Sequence, residues 1–160
     1  MPTLTDQIIA LLDQHNIHYV IKEHAPTPTS EDSARARGEP KKIGAKALLF
    51  KADDKFILCI LPADRNVDSK AIKTIYNAKN LRLATIDELK EQTGCDKGAV
   101  PPFGSLMQIE MIVDQALFDE EFMAFNAGSL TTSIKMKTED YKKIVPLMIK
   151  SFSLKKDEHT

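Results

Sequence analysis

Ile43-Gly-Ala-Lys-Ala-Leu-Leu-Phe-Lys-Ala-Asp-Asp-Lys-Phe-Ile-Leu-Cys-Ile-Leu61 carries the pattern that decides the fold. Two apolar runs, Ile43 to Ala52 and Lys55 to Leu61, flank Asp53-Asp54, which predicts two strands joined by a tight turn. Both runs are apolar on both faces, as expected in a sheet covered on both sides or closed into a barrel. Lys46 is the exception. In an extended chain Gly44, Lys46, Leu48 and Phe50 share one face, while Ile43, Ala45, Ala47 and Leu49 share the other. An ammonium therefore stands on a face that is otherwise small or apolar, and burying it unpaired is costly. Either its head reaches water at the strand end, or it lines a pocket and meets an anion or an oxygen ligand. The small neighbours Gly44, Ala45 and Ala47 leave room for such a pocket.

Upstream, Leu4, Ile8, Leu11 and Leu12 recur at helical spacing behind Thr3 and Thr5, predicting a capped helix that ends near Asn16. Tyr19-Val-Ile21 reads as a short strand. His24-Ala-Pro-Thr-Pro-Thr29 is irregular because of its two prolines. Ser30 then precedes a short helix, Glu31 to Arg37, stopped by Gly38 and Pro40. Downstream, Val67 to Asn77 reads as a helix with Asp68 near its start, and Leu81 to Ala84 as a strand. Thr85 caps a helix from Ile86 to Gln92, Glu88 completes the capping box, and Gly94 ends it. Gly98 to Gly104 is a Gly/Pro loop. Gln108 to Val113, Glu121 to Asn126 and Thr131 to Met136 read as strands. Thr138 is expected to cap a last helix from Glu139 to about Leu147, with Pro146 breaking or kinking it. Lys155 to Thr160 reads as a frayed tail. The sum is one α+β domain over residues 1–160, a mixed, largely antiparallel sheet with helices around it.

The 22 basic and 23 acidic side chains leave a net charge of −1. That excludes a surface built to grip a long duplex, whose affinity rests on phosphate neutralisation. DNA is not expected as a partner, and any nucleic acid would be held by an end or by a few phosphates. The basic residues do cluster, in Lys41, Lys42, Lys46 and Lys51 and again between Lys135 and Lys156. No apolar run approaches membrane-spanning length, and Met1-Pro-Thr-Leu-Thr-Asp6 lacks a signal pattern. Cys59 and Cys95 form no CxxC or Cys/His cluster, so no metal site is expected. These features predict a reduced, cytoplasmic protein without a membrane role.

Other stretches carry candidate chemistry. Gly98-Ala-Val-Pro-Pro-Phe-Gly104 brackets two prolines between glycines. It reads either as a plain connection or as a rigid loop presenting backbone groups to a ligand. Asn126-Ala-Gly-Ser129 is ordinary hairpin chemistry, and its small residues also suit a pocket wall. Of the histidines, only His24 stands where a functional role is plausible. No Ser-His-Asp spacing, P-loop or dinucleotide motif occurs.

Several stretches taken in order are similar to a known family: Tyr19-Val-Ile-Lys-Glu-His24, Gly44-Ala-Lys-Ala-Leu-Leu-Phe50, Leu61-Pro-Ala-Asp64, Thr93-Gly-Cys-Asp-Lys-Gly-Ala-Val-Pro-Pro-Phe-Gly104 and Phe125-Asn-Ala-Gly-Ser129. The chain resembles the YbaK/EbsC family, which is also the editing domain of bacterial prolyl-tRNA synthetases. The resemblance implies a mixed sheet partly rolled into a barrel with flanking helices. It implies hydrolysis of the ester that joins a wrong amino acid to the 3′-terminal adenosine of tRNA. The sequence shows no synthetase modules, so the resemblance is to free-standing members that edit in trans, with the aminoacyl-tRNA acceptor end, and an aminoacyl-tRNA synthetase, as partners. The family's lysine falls on Lys46, its GxxxP loop on Gly98, Ala99, Val100, Pro101 and Pro102, and its small-residue turn on Gly128 and Ser129. His24 and Asn126 join the expected substrate contacts, and neither cofactor nor metal is expected. One departure is Ala47, where the family often has Thr or Asn; it bears on the choice of amino acid. Two other readings compete: a non-catalytic module that binds an aminoacyl-tRNA end or a small regulator, and a Schiff-base enzyme acting through Lys46.

Overall fold

The structure is a computed structural model that describes residues 2–27, 29–146 and 148–156. The strands expected around Asp53-Asp54 form its centre. β2 (Ala45–Ala52) and β3 (Lys55–Pro62) pair antiparallel, with Ala52 opposite Lys55 and Ala45 opposite Pro62. β5 (Leu81–Leu83) covers the far end of β2, from Phe50 to Ala52. On the other side β6 (Glu110–Asp114) runs parallel to β3, and β9 (Met148–Lys150) runs parallel to β6. The order of this sheet is thus β5-β2-β3-β6-β9.

A second, antiparallel sheet has the order β1-β8-β7, built from β1 (Tyr19–Glu23), β7 (Phe122–Asn126) and β8 (Thr132–Lys137). A parallel bridge between Gly44 and Ala124 joins the two sheets just before Lys46. The apolar residues of β2 divide as the alternation requires. Ala45 and Leu49 enter one core cluster with β7, β8 and α1 (Leu4–Gln14), and Phe50 enters the other with Ile57, Cys59 and Ile72. Both faces of the central hairpin are therefore covered, and this explains why both strands read as continuously apolar.

The helices follow their caps. Thr3 and Asp6 form a capping box on α1, and Thr85 and Glu88 form one on α4 (Ile86–Thr93), with Gly94 left-handed at its end. α2 (Ser30–Arg37) ends on a left-handed Gly38. Several expectations shift. Val67 ends a short strand, β4 (Arg65–Val67), and the helix behind it, α3 (Ser69–Tyr76), is capped by Asp68. Thr138 is the first residue of α5 (Thr138–Ile144) and not its cap. Its hydroxyl is committed to the carbonyls of Glu120 and Glu121 at 2.7 and 3.1 Å. The helix ends before Pro146, with Val145 already extended; Leu147 lies outside the described residues.

Of the segment read as a frayed tail, Lys155 closes a strand. β10 (Ser153–Lys155) pairs with β4, placing Lys155 opposite Arg65. The buried carboxylate of Asp114 holds this strand, accepting from the Phe152 amide at 2.8 Å and the Ser153 hydroxyl at 2.6 Å. Residues 157–160 lie outside the described residues. Among the described residues no helix is long and apolar enough to cross a membrane, and no group of His, Cys, Asp or Glu is placed to hold a metal ion.

Candidate active site

Where the two sheets meet, β5 stops short of covering β2. The amide of Ala63 donates to the carbonyl of Gly44 at 2.8 Å, and the amide of Ala84 donates to that of Leu49 at 2.9 Å. Alternation along an antiparallel ladder therefore turns the backbone of Ala47 away from β3. β5 pairs only from Phe50 onward, so the edge around Ala47 opens into a cavity of about 430 Å³. Helix α2 closes one side of it, Leu83 to Leu89 another, and Lys97 to Val100 a third.

The side chains facing this space are charged in one sense. Arg37, Lys41, Lys46 and Lys97 line it, and no Asp, Glu, His or Cys does so among the described residues. Lys41 is paired with Glu31. Lys46 has no carboxylate partner among the described residues. Burial, reinforced by the charges of Lys156 and Lys41 and partly offset by Asp64 and Glu31, lowers its pKa to about 8. Lys46 thus neither snorkels freely nor forms an ion pair, and it is half desolvated in the wall of a cationic cavity.

The floor is a connected polar network. Asn126, 6% exposed, donates to the Gly98 carbonyl at 2.8 Å and to the hydroxyls of Ser33 and Thr27 at 3.3 and 3.4 Å. Its Oδ1 accepts from Ser133 at 3.0 Å and from Arg37 Nη2 at 3.1 Å, and Arg37 Nε reaches Ser133 Oγ at 2.9 Å. Gly98 has φ +88°, a conformation that glycine adopts without cost and that brings its carbonyl to Asn126. Burial lowers the Arg37 pKa to about 10, with Glu39 opposing the shift.

The residues singled out in the sequence divide in space. Lys46, Gly98, Val100 and Asn126 face the cavity. The others stand behind its wall. His24 Nε2 lies 2.7 Å from Ser133 Oγ. The Ala99 carbonyl accepts from the Gly128 amide at 2.9 Å, and the Ser129 hydroxyl meets that of Thr131 at 2.8 Å. Pro101 and Pro102 are buried, and the Pro102 carbonyl accepts from the Tyr141 hydroxyl at 2.6 Å. Helix α2 was missed as a cavity wall. It carries no apolar stripe, and a helix of that kind reads as solvent-facing from its sequence. Ser33 and Arg37, four apart, share one face, and it is that face which meets Asn126.

The aminoacyl-tRNA editing domain matches residues 24–144, a span that contains the cavity floor, Lys46 and the Gly98 loop. The chain belongs to the aminoacyl-tRNA editing domain family. Among its relatives is the multifunctional Ser/Thr-tRNA deacylase ProXp-y of Escherichia coli, 34% identical over 143 residues, 86% of each chain. The proline–tRNA ligase of Bacillus velezensis is 38% identical over 72 residues, which are 45% of this chain and 13% of the ligase. A structure described as a candidate trans-editing enzyme for prolyl tRNA synthetase superposes with TM-score 0.80 at 18% identity, covering 96% of this chain and 99% of that one. Hypothetical protein APE2540 does so with TM-score 0.84 at 18% identity, covering 92% and 99%. These two likenesses establish the α+β fold of the editing domain for this chain.

Proposed function

We propose that this editing-domain protein hydrolyses the ester of a misacylated tRNA, with Lys46 as the catalytic cation. The observation that carries the reading is the half-desolvated ammonium of Lys46, without a carboxylate partner among the described residues, in a cavity whose described charged side chains are all cations. A desolvated charge in a cleft, perturbed by named charged neighbours, is a candidate functional group. The acceptor end of tRNA supplies what the cavity lacks: phosphate charge, and an oxyanion that forms during the reaction.

Water adds to the ester carbonyl carbon, and the bond to the ribose 3′-oxygen then breaks, releasing the amino acid carboxylate and a ribose hydroxyl. One proton of the water passes to the departing ribose oxygen, with the neighbouring 2′-hydroxyl as the nearest relay, and the other leaves to solvent as the amino acid carboxyl ionises. The protein's part is positioning and charge stabilisation. Lys46 holds the phosphate or ester oxygen. Gly98, Val100 and Asn126 bound the aminoacyl group, while Ala99, Pro101, Pro102, Gly128 and Ser129 keep that wall rigid from behind. His24 orients Ser133. The α-ammonium of the substrate, repelled by the cations, turns to the carbonyl edge of β2 at Ala47. Acceptor-end RNA and a synthetase that produces the mischarged species are the partners. The unpaired, buried Cys59 and Cys95 suit the reducing cytoplasm where translation runs.

The test is a deacylation panel of mischarged tRNAs against wild type and Lys46→Ala. Wild type is expected to release at least one amino acid, and the folded variant to release none above background. Wild-type binding without ester loss across the panel would support a non-catalytic module instead.

A further inference from the structure

Arg37 is a half-buried cation without a carboxylate partner among the described residues, and its hydrogen-bond ledger is incomplete. Nε and one Nη2 hydrogen are used on Ser133 and Asn126, both neutral. A guanidinium has five donors, so the two hydrogens of Nη1 and one of Nη2 remain. Around it, Asn126, Ser133, Ser33 and Thr27 satisfy one another, and Thr27 donates onward to the Leu130 carbonyl. The floor of the cavity therefore offers these guanidinium donors and little else.

Gly44 lines the same cavity as Arg37. Gly44 has φ −65°, which any residue adopts, so its lack of a side chain does not serve the backbone turn. A Cβ there would lie 3.6 Å from Arg37 Nη1, 3.1 Å from the Ala63 Cβ and 3.2 Å from the Lys41 carbonyl. The crowding is with Ala63 and Lys41, while the contact with Arg37 is an ordinary one, so the bare Cα adds no side chain to the stretch of cavity wall that Gly44 shares with Arg37 and Lys46.

We propose that Arg37 is a second substrate-binding cation, which receives an anionic oxygen of the substrate through its open fork. The inference rests on the deacylase reading for the identity of that substrate. The anionic oxygen has two sources in an aminoacyl-tRNA, the phosphodiester before the terminal adenosine and the oxyanion of the tetrahedral intermediate. The Asn126–Ser133 pair holds the guanidinium in place before the ligand arrives, and the planar fork suits two parallel bonds to a phosphate or an oxyanion.

The test compares wild type, Arg37→Gln and Arg37→Lys on two substrates, an aminoacyl-tRNA and a 3′-aminoacyl adenosine that has no phosphate. A charged hydrogen bond of this kind is worth about 10- to 100-fold in kcat/KM, and Arg37→Lys should recover little of it. Loss confined to the tRNA assigns the phosphodiester, and equal loss on both assigns the oxyanion. Because Arg37 also braces Asn126, a second measurement uses the unaltered protein. Adenosine 5′-monophosphate, and not adenosine, should shift the Arg37 Nη resonances in nitrogen NMR if the fork takes phosphate. A folded Arg37→Gln that keeps its kcat/KM within about 2-fold on both substrates, with no shift of those resonances, overturns the proposal. If wild type hydrolyses neither substrate, the deacylase reading falls and the resonance shift alone decides Arg37.

Discussion

Lys46→Met removes the ammonium and keeps an unbranched stem of similar length in the cavity wall. In the folded chain the Lys46 pKa is about 8, against 10.5 for a free lysine. Folding therefore disfavours the charged form. At about 1.4 kcal/mol per pH unit this difference amounts to roughly 3 kcal/mol at neutral pH. The side chain is partly exposed and its charged neighbours are solvated, so a realistic penalty is about 1–2 kcal/mol. The sign follows from linkage. Between pH 8 and 10.5 the unfolded chain binds more protons at this site than the folded one, so the penalty is complete below pH 8 and fades as pH rises. The variant should then melt about 2–8 °C higher than wild type at pH 7, with about a quarter of the free-energy gain left at pH 10, and it should be inactive. Thermal melts of both proteins at the two pH values measure this. A variant that is less stable than wild type at pH 7, or a gain that is the same at pH 10, would refute the desolvated-lysine account.

Three further outcomes follow from the same geometry. Wild-type kcat/KM, corrected for spontaneous ester loss, should fall as pH rises through about 8; a rise through that range would instead make neutral Lys46 the base. Lys156→Met removes a charge that lowers the Lys46 pKa, so the alkaline limb of the rate profile should move upward, and an unmoved limb would detach the C-terminal strand from the site. Tyr141→Phe leaves the buried Pro102 carbonyl without its 2.6 Å donor. This should cost about 1–3 kcal/mol in a denaturant titration and raise KM by loosening the Gly98 to Pro102 wall.

The hairpin around Asp53-Asp54 and the capped helices α1 and α4 were legible because their signals are local. A two-residue turn between apolar runs, an apolar helical spacing and a Thr-x-x-Glu box each lie within a few positions. The pairing of β4 with β10 was not legible. Arg65-Asn-Val67 and Ser153-Leu-Lys155 carry no strand pattern alone, and each becomes a strand by finding the other across 88 residues, Arg65 Nε to Ser153 Oγ. The site shows the same division. Lys46 stood out because a charge interrupts an apolar face. Arg37 did not, because Ser30 to Arg37 reads as a solvated helix until the sheets place Asn126 and Ser133 against it. Which face of a polar helix meets the fold is a tertiary fact, settled by partners distant in sequence.

Protein engineers treat a C-terminus as a convenient place for affinity tags, fluorophores or fusion partners. In this chain that habit carries a kinetic consequence. The Asp114 clamp on Phe152 and Ser153 delivers Lys156 to the neighbourhood of Lys46, so any appendage that pulls β10 from β4 or adds charge there retunes the acidity of the site. An acidic tag would strengthen the proton's hold on Lys46 and a basic one would weaken it. The choice of purification handle would then set the pH at which the protein is most active.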